Sequence, residues 1–336
     1  MKLLVVSERI NQADDDIAFH VLWVQELVRQ GFDVEVICLE KGVFDDSFPV
    51  HSLGKEDGVG LVGRILRFAR LIKTLKYDRV LVLMNPEYVT LGSWWWVLTR
   101  TPVYLWYTHY AMHMHIRLSA LVCKRLFAAT PQSMPQFEGN PKKVVLGHGI
   151  DTAHWLQGAA ETTTQSSDTR LVSIHRIARS KRIELSIRTL QHLPETYTLD
   201  IYGPVLDHEY QSELEALVHG EELEERVTFH GSVPMNELRE IYPQHRIMLN
   251  MASETIDKSM VEGMLFGVYP VTTPGNSQAI GLPVWPEAET SEALAAFIRG
   301  GSWGTHTKEE LQRIVEERHS VLHLMTEIGG YIKAGN

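Results

Sequence analysis

Cysteine is almost absent from the chain. Cys38 and Cys123 are the two in 336 residues, unclustered and each set in an apolar stretch. They offer neither zinc nor redox spacing and point to a reducing compartment. Long apolar runs are lacking as well, each being interrupted well before the ~20 residues needed to cross a bilayer. The opening Met1-Lys2-Leu3-Leu4-Val5-Val6-Ser7 has an apolar core too short for a signal peptide and reads as a first strand. Basic charge is in deficit: the net charge of −10 argues against nucleic acid as a partner of the whole protein. These absences give the expectation of a cytoplasmic protein.

What is present is a globular balance, 44% hydrophobic and 22% charged, over a length that suits two domains rather than one core. Strand-like and helix-like patterns alternate. Strands are expected at 2–7, 33–38, 50–53, 79–83, 103–107 and 126–129, with helices at 17–30, 61–76 and 88–98 between them. Residues 157–169, QGAAETTTQSSDT, lose apolar periodicity and read as a linker. Alternation then restarts, with strands at 171–174, 198–202, 227–229, 246–250 and 268–272. Helices are expected at 181–193, 209–219, 236–242 and 258–266. The expected division is residues 1–156, the linker 157–169, a second domain 170–307, and a helical tail 308–336 packing back on the first domain. The fold class is α/β: two Rossmann-like domains with parallel sheets facing across a cleft.

Two stretches carry chemistry. The first, Asn250-Met251-Ala252-Ser253-Glu254-Thr255-Ile256-Asp257-Lys258-Ser259-Met260-Val261-Glu262, joins a strand to a helix. A helix start offers free N–H groups to a diphosphate, and Glu254 or Glu262 beside it can accept hydrogen bonds from hydroxyls. Solvated glutamates at a helix start would look the same. The second, His175-Arg176-Ile177-Ala178-Arg179-Ser180-Lys181, follows a strand. Arg176 and Lys181 there can neutralise charge on a departing diphosphate. Such cations are also common on surfaces, but a cationic pair and a carboxylate pair at strand ends of one sheet is a less ordinary combination.

With these elements the chain resembles glycosyltransferase family 4, retaining enzymes of GT-B fold, through nearly its whole length. The marks are Glu-x7-Glu at Glu254 and Glu262, Arg-x4-Lys at Arg176 and Lys181, the crossover-like Gly147-His148-Gly149-Ile150-Asp151, the loop Arg226–Val233, and the turn at Gly267–Val271. The resemblance implies that Arg176 and Lys181 bind and help expel the donor diphosphate, and that Glu262 takes ribose hydroxyls. It places Glu254 against the donor sugar and Gly231 and Ser232 near the base. Asp257 and Lys258 complete the donor-binding set. It implies a nucleotide-diphosphate sugar as donor substrate, no cofactor, no metal, and a carbohydrate or lipid-linked acceptor in cell-surface polysaccharide or glycolipid synthesis. Three places depart from the family: the first loop is Glu8–Asp16 rather than Gly-rich, His175 replaces a Gly before the Arg, and Tyr269 adds a residue before Pro270.

His109, ending a strand in Leu105-Trp106-Tyr107-Thr108-His109, is the candidate for a sugar hydroxyl; His113 and His115 nearby lack a Cys or carboxylate to complete a metal site. Gly58-Val59-Gly60-Leu61-Val62-Gly63 matches G-x-G-x-x-G but sits too far from its preceding strand for a dinucleotide turn. Asp14-Asp15-Asp16 reads as helix capping rather than a metal-binding Asp-x-Asp. Arg64, Arg67, Arg70, Lys73 and Lys76 form a basic stripe, either a solvated face or a peripheral contact with the inner face of a membrane. Trp94-Trp95-Trp96 is either an apolar anchor beside it or core. The rival readings are a sugar-nucleotide epimerase, a catalytically inactive nucleotide-sugar-binding scaffold, and a dehydrogenase.

Overall fold

The structure, a computed structural model, describes residues 1–13, 19–109, 113–157, 167–253 and 256–335. It comprises two compact units: Met1–Asp151 with Ser320–Asn336, and Thr152–His319.

The first unit is built on β1 (Lys2–Ile10), α1 (Phe19–Arg29), β2 (Asp33–Lys41), β3 (Val50–Ser52), α2 (Leu61–Thr74), β4 (Arg79–Leu83), α3 (Pro86–Leu98), β5 (Val103–Trp106), α4 (Met114–Val122), β6 (Arg125–Ala128) and β7 (Lys143–Val145). Its seven strands run parallel in the order β3-β2-β1-β4-β5-β6-β7. A parallel sheet is covered on both faces, so its strands read as unbroken apolar runs. Leu3 and Val5 join one core with Trp23, Leu27, Tyr104 and Ile328. Leu4 and Val6, pointing the other way, join a second core with Phe68, Ile72, Trp96 and Ile116.

The second unit follows with α5 (Thr152–Leu156), β8 (Ser167–Ile174), α6 (Ile183–Thr189), β9 (Thr198–Tyr202), α7 (His208–Gly220), β10 (Val227–Gly231), α8 (Met235–Ile241), β11 (His245–Asn250), α9 (Lys258–Met264), β12 (Tyr269–Thr272), α10 (Pro274–Ile280), α11 (Ser291–Gly300) and α12 (Lys308–Arg318). Its parallel sheet has the order β10-β9-β8-β11-β12. α5 belongs here because Trp155 packs edge-on against Tyr242 and Phe266. α13 (Val321–Ala334) then returns to the first unit, where Leu324, Met325 and Ile328 are buried in the same core as α1.

Several expected boundaries move for identifiable reasons. The strand expected from 171 begins at Ser167, so the last residues of the linker-like run are sheet. The helix expected at 181–193 is a 3-10 turn at Arg179–Lys181 followed by α6, because Arg182 takes a left-handed φ of 49°. That strained backbone is held by its guanidinium, which donates to the Met251 carbonyl at 2.8 Å and to Glu289 at 2.7 Å. The tail expected as one helical stretch breaks at His319, whose Nε2 donates to the Ile280 carbonyl at 2.9 Å, and Ser320 caps the new helix.

Candidate functional site

In the second sheet the chain winds to opposite sides from β8, with β9 on one side and β11 on the other, and ligands of open α/β sheets bind beyond the strand ends at such a switch. A cavity of about 270 Å3 lies there, lined by residues following β8, β9, β10 and β11. Arg176, Lys181, Ser232, Asp257 and Lys258 line it together, so five of the expected site residues converge. His175, Tyr202, Gly203, Leu238 and Ser259 line it too and were not expected.

The cations are not equivalent. Lys181 is buried and donates from Nζ to Asp257 Oδ1 at 2.5 Å. Asp257 is held from the other side by Asn250 Nδ2 at 2.9 Å, and fully buried Asn250 accepts from Ala252 N–H at 3.1 Å. Lys181 is therefore a positioned charge, already partly answered. Arg176 is exposed and makes no ion pair with a described residue. Arg179, three residues on, turns away to a bidentate pair with Glu213 at 2.7 and 2.6 Å. Among the described residues, three cations line the cavity against one carboxylate, a local positive surplus within a chain of net charge −10.

His175 adds an acceptor. Ser173 Oγ spends its proton on the Leu249 carbonyl at 2.7 Å, which can only accept, so His175 Nε2–H must donate to Ser173 Oγ at 2.8 Å. Nδ1 is then an unprotonated lone pair, buried and without a hydrogen-bond partner among the described residues. Burial pushes the imidazole pKa down to about 4, so the ring is neutral at ordinary pH.

Glu262, on α9, is buried behind the cavity rather than at its lining and accepts from the Tyr242 hydroxyl at 3.3 Å. Desolvation raises its carboxyl to about 7, against partial relief from Lys258 and Tyr242. The helix carrying it is tied to β8 by Ser259 Oγ, which donates to the Ile174 carbonyl at 2.6 Å. Gly231 ends β10 with φ 73°, directly before Ser232. Gly203 has a harder constraint: its φ is 144°, and a Cβ would stand 1.9 Å from the His175 carbonyl oxygen. The Tyr202-Gly203-Pro204 sequence after a strand was the available signal for it.

Tyr202 is stacked on His230 with ring centroids 4.3 Å apart. His230 in turn bonds buried Asp200 at 2.6 Å, which His245 and Arg170 also hold, at 3.2 and 2.6 Å. Burial alone would raise the Asp200 carboxyl, but those three partners hold it well below the usual range. This network fixes the cavity wall from beneath.

Of the remaining expectations, Glu254 and Asp14-Asp15-Asp16 lie outside the described residues. His109 is exposed in the first unit after β5, its ring 5.4 Å from that of Tyr107. His113 meets the Tyr107 hydroxyl at 3.1 Å and His115 the Thr90 hydroxyl at 3.1 Å. The G-x-G-x-x-G run sits after the sheet-edge strand β3, and its helix starts at Leu61 from a Gly60 cap. No helix among the described residues is long and apolar enough to cross a membrane.

Two parallel-sheet Rossmann-like units are the architecture of GT-B glycosyltransferases, and solved structures of that class superpose over the whole chain. The Anabaena protein HepE in complex with UDP is 17% identical, with a TM-score of 0.74, covering 99% of this chain and 100% of that one. The lipopolysaccharide outer core galactosyltransferase WaaB in its apo form is 12% identical at a TM-score of 0.74, with full coverage of both chains (100% and 100%). The sucrose-phosphate synthase of Thermosynechococcus elongatus is 13% identical at 0.71, covering 99% and 98%. A comparison of the sequence with curated proteins gives no match. Residues 159–280 match the family model for glycosyl transferases group 1, and residues 12–117 match the model for glycosyl transferase 4-like. The two glycosyltransferase models together span most of the chain, which is a glycosyltransferase of GT-B fold.

Proposed function

We propose that the protein is a retaining, metal-independent hexosyltransferase. It moves a sugar from a nucleoside-diphosphate sugar to a carbohydrate or lipid-linked acceptor in cell-surface polysaccharide or glycolipid synthesis. The observation that carries this reading is the cavity at the ends of β8 to β11, lined among the described residues by three cations and one carboxylate in an acidic chain. Arg176 and Lys181 take the diphosphate and stabilise the charge that grows on it as the glycosidic bond breaks. Asp257 holds the Lys181 ammonium in place before substrate arrives. Glu262 accepts ribose hydroxyls, His175 Nδ1 accepts a further hydroxyl of the donor, and Ser232 and Gly231 border the base. Glu254 and His109 act on the transferred sugar. Uridine diphosphate is the favoured carrier, since HepE has been solved with UDP and with UDP-glucose. A lipid-linked acceptor would be met at the inner face of a membrane by the basic residues Arg64, Arg67, Arg70, Lys73 and Lys76.

The test is a thermal-shift screen of nucleoside diphosphates and their sugars, followed by turnover of Glu262→Ala, Lys181→Ala and Arg176→Ala. A shift with one diphosphate and loss of turnover in all three variants is expected. Turnover that survives in both Glu262→Ala and Lys181→Ala would sink the site. Conversion of the donor in the absence of any acceptor would favour an epimerase.

A further inference from the structure

Arg182 follows Lys181 directly and takes φ 49° and ψ 48°, in the left-handed region. It ends the 3-10 turn of Arg179–Lys181, and Ile183 then enters α6 fully buried. The turn leaves Lys181 at the cavity lining. A Cβ crowds the following carbonyl in this conformation, whereas glycine adopts it without steric cost. What an arginine adds at this position is therefore its guanidinium.

That group reaches the end of the neighbouring strand β11. Nε donates to the Met251 carbonyl at 2.8 Å, and Nη1 continues to Glu289 at 2.7 Å. The Met251 carbonyl shares a peptide plane with the Ala252 N–H, which donates to Asn250 Oδ1 at 3.1 Å. An N–H can only donate, so the Asn250 amide turns its oxygen to Ala252 and its Nδ2 to Asp257 Oδ2, at 2.9 Å. Asp257 Oδ1 then receives the Lys181 ammonium at 2.5 Å. One peptide plane is thus gripped on its carbonyl edge by Arg182 and on its N–H edge by Asn250. Its orientation fixes which way the amide faces and where the Lys181 charge is held. Neighbouring bonds steady the rest of the segment: Ser253 N–H donates to the Ser180 carbonyl at 3.2 Å, and buried Asn276 Nδ2 to the Ala252 carbonyl at 2.8 Å.

We propose that Arg182 is a positioning residue of the transfer reaction: through the Met251–Ala252 peptide and the Asn250 amide it sets the place of the Lys181 ammonium. The inference rests on the proposed part of Lys181 in stabilising the departing diphosphate. That charge is largest in the transition state, so a displaced ammonium lowers kcat more than it raises KM.

Three variants of the full chain separate the parts of this arrangement. Arg182→Gly keeps the left-handed turn and removes the guanidinium. Arg182→Gln carries an amide N–H as many bonds from Cα as Nε, without the charge. Glu289→Gln breaks only the ion pair, at a carboxylate side chain that is 42% exposed. All three should melt within a few degrees of the parent. For UDP release from UDP-glucose, Arg182→Gly should lower kcat on the order of 10- to 100-fold and move KM by less than about threefold. Arg182→Gln should recover most of that loss, and Glu289→Gln should stay within about twofold of the parent. A second readout needs no donor. In heteronuclear NMR the buried, paired Lys181 ammonium gives a signal protected from solvent exchange, identified by its absence in Lys181→Met/Asp257→Asn. Arg182→Gly should lose that protection and Arg182→Gln should keep it. Protection unchanged in Arg182→Gly overturns the proposal, and so does a Glu289→Gln loss equal to that of Arg182→Gly. If UDP fails to shift the parent's melting while the ammonium responds as expected, the donor reading fails and the positioning stands.

Discussion

Glu262→Gln should make the protein more stable and a worse enzyme, and the size of the first effect can be worked from the site. The carboxyl is buried and its pKa is raised from 4.5 to about 7, chiefly by desolvation. In the unfolded chain it ionises near the ordinary value, so between the two the folded state holds a proton that the unfolded state has released. Stability from this group is whole below about pH 4.5 and drains as pH rises through about 7. At about 1.4 kcal/mol per pH unit the drain reaches about 3 kcal/mol near pH 8.5, against under about 1 kcal/mol near pH 5. Glutamine keeps the volume and an acceptor for the Tyr242 hydroxyl and never ionises. For cooperative units of 150–250 residues such a gain is worth about 6–12 °C in Tm at pH 8.5 and only a few degrees near pH 5. The assay is calorimetric melting of the full chain at both pH values, with and without UDP. An unchanged or lower Tm for the variant at pH 8.5 refutes the reasoning. Function moves oppositely: a protonated Glu262 accepts fewer ribose hydroxyls, so parent affinity for UDP should climb with pH through about 7, and the variant should lose that dependence.

Three further outcomes are expected. Gly203→Ala places a Cβ 1.9 Å from the His175 carbonyl in a backbone conformation that suits only glycine, so it should cost at least about 3 kcal/mol, read as insoluble expression or a collapsed Tm. Arg176→Ala removes an exposed cation and should weaken UDP binding by about 10- to 100-fold in calorimetric titration, with Tm little changed. Lys181→Ala leaves Asp257 unanswered in a site where the two side chains are only 10% and 19% exposed, so it should cost about 3 kcal/mol. Lys181→Met/Asp257→Asn should recover most of that stability in chemical denaturation without recovering turnover.

The sequence alone determined the α/β class and the place along the chain of every strand but β7, while the sheet order came from the structure. A parallel sheet covered on both faces demands continuous apolar strands such as Leu3–Val6, and that demand is local enough to read. It also determined which residue types could meet a diphosphate: Arg176, Lys181 and Lys258 stand beside strand ends in the sequence itself. Tertiary structure decided how those charges are used. The Lys181–Asp257 pair spans 76 residues, the bonding that leaves His175 Nδ1 bare runs through a carbonyl 76 residues from Ser173, and the Gly203 constraint comes from a neighbouring strand's backbone. Nor could periodicity tell Trp96, sealed in the core, from Trp94, exposed beside Lys73 on the same helix. Burial depends on what packs against each side, and a string of residues does not contain that.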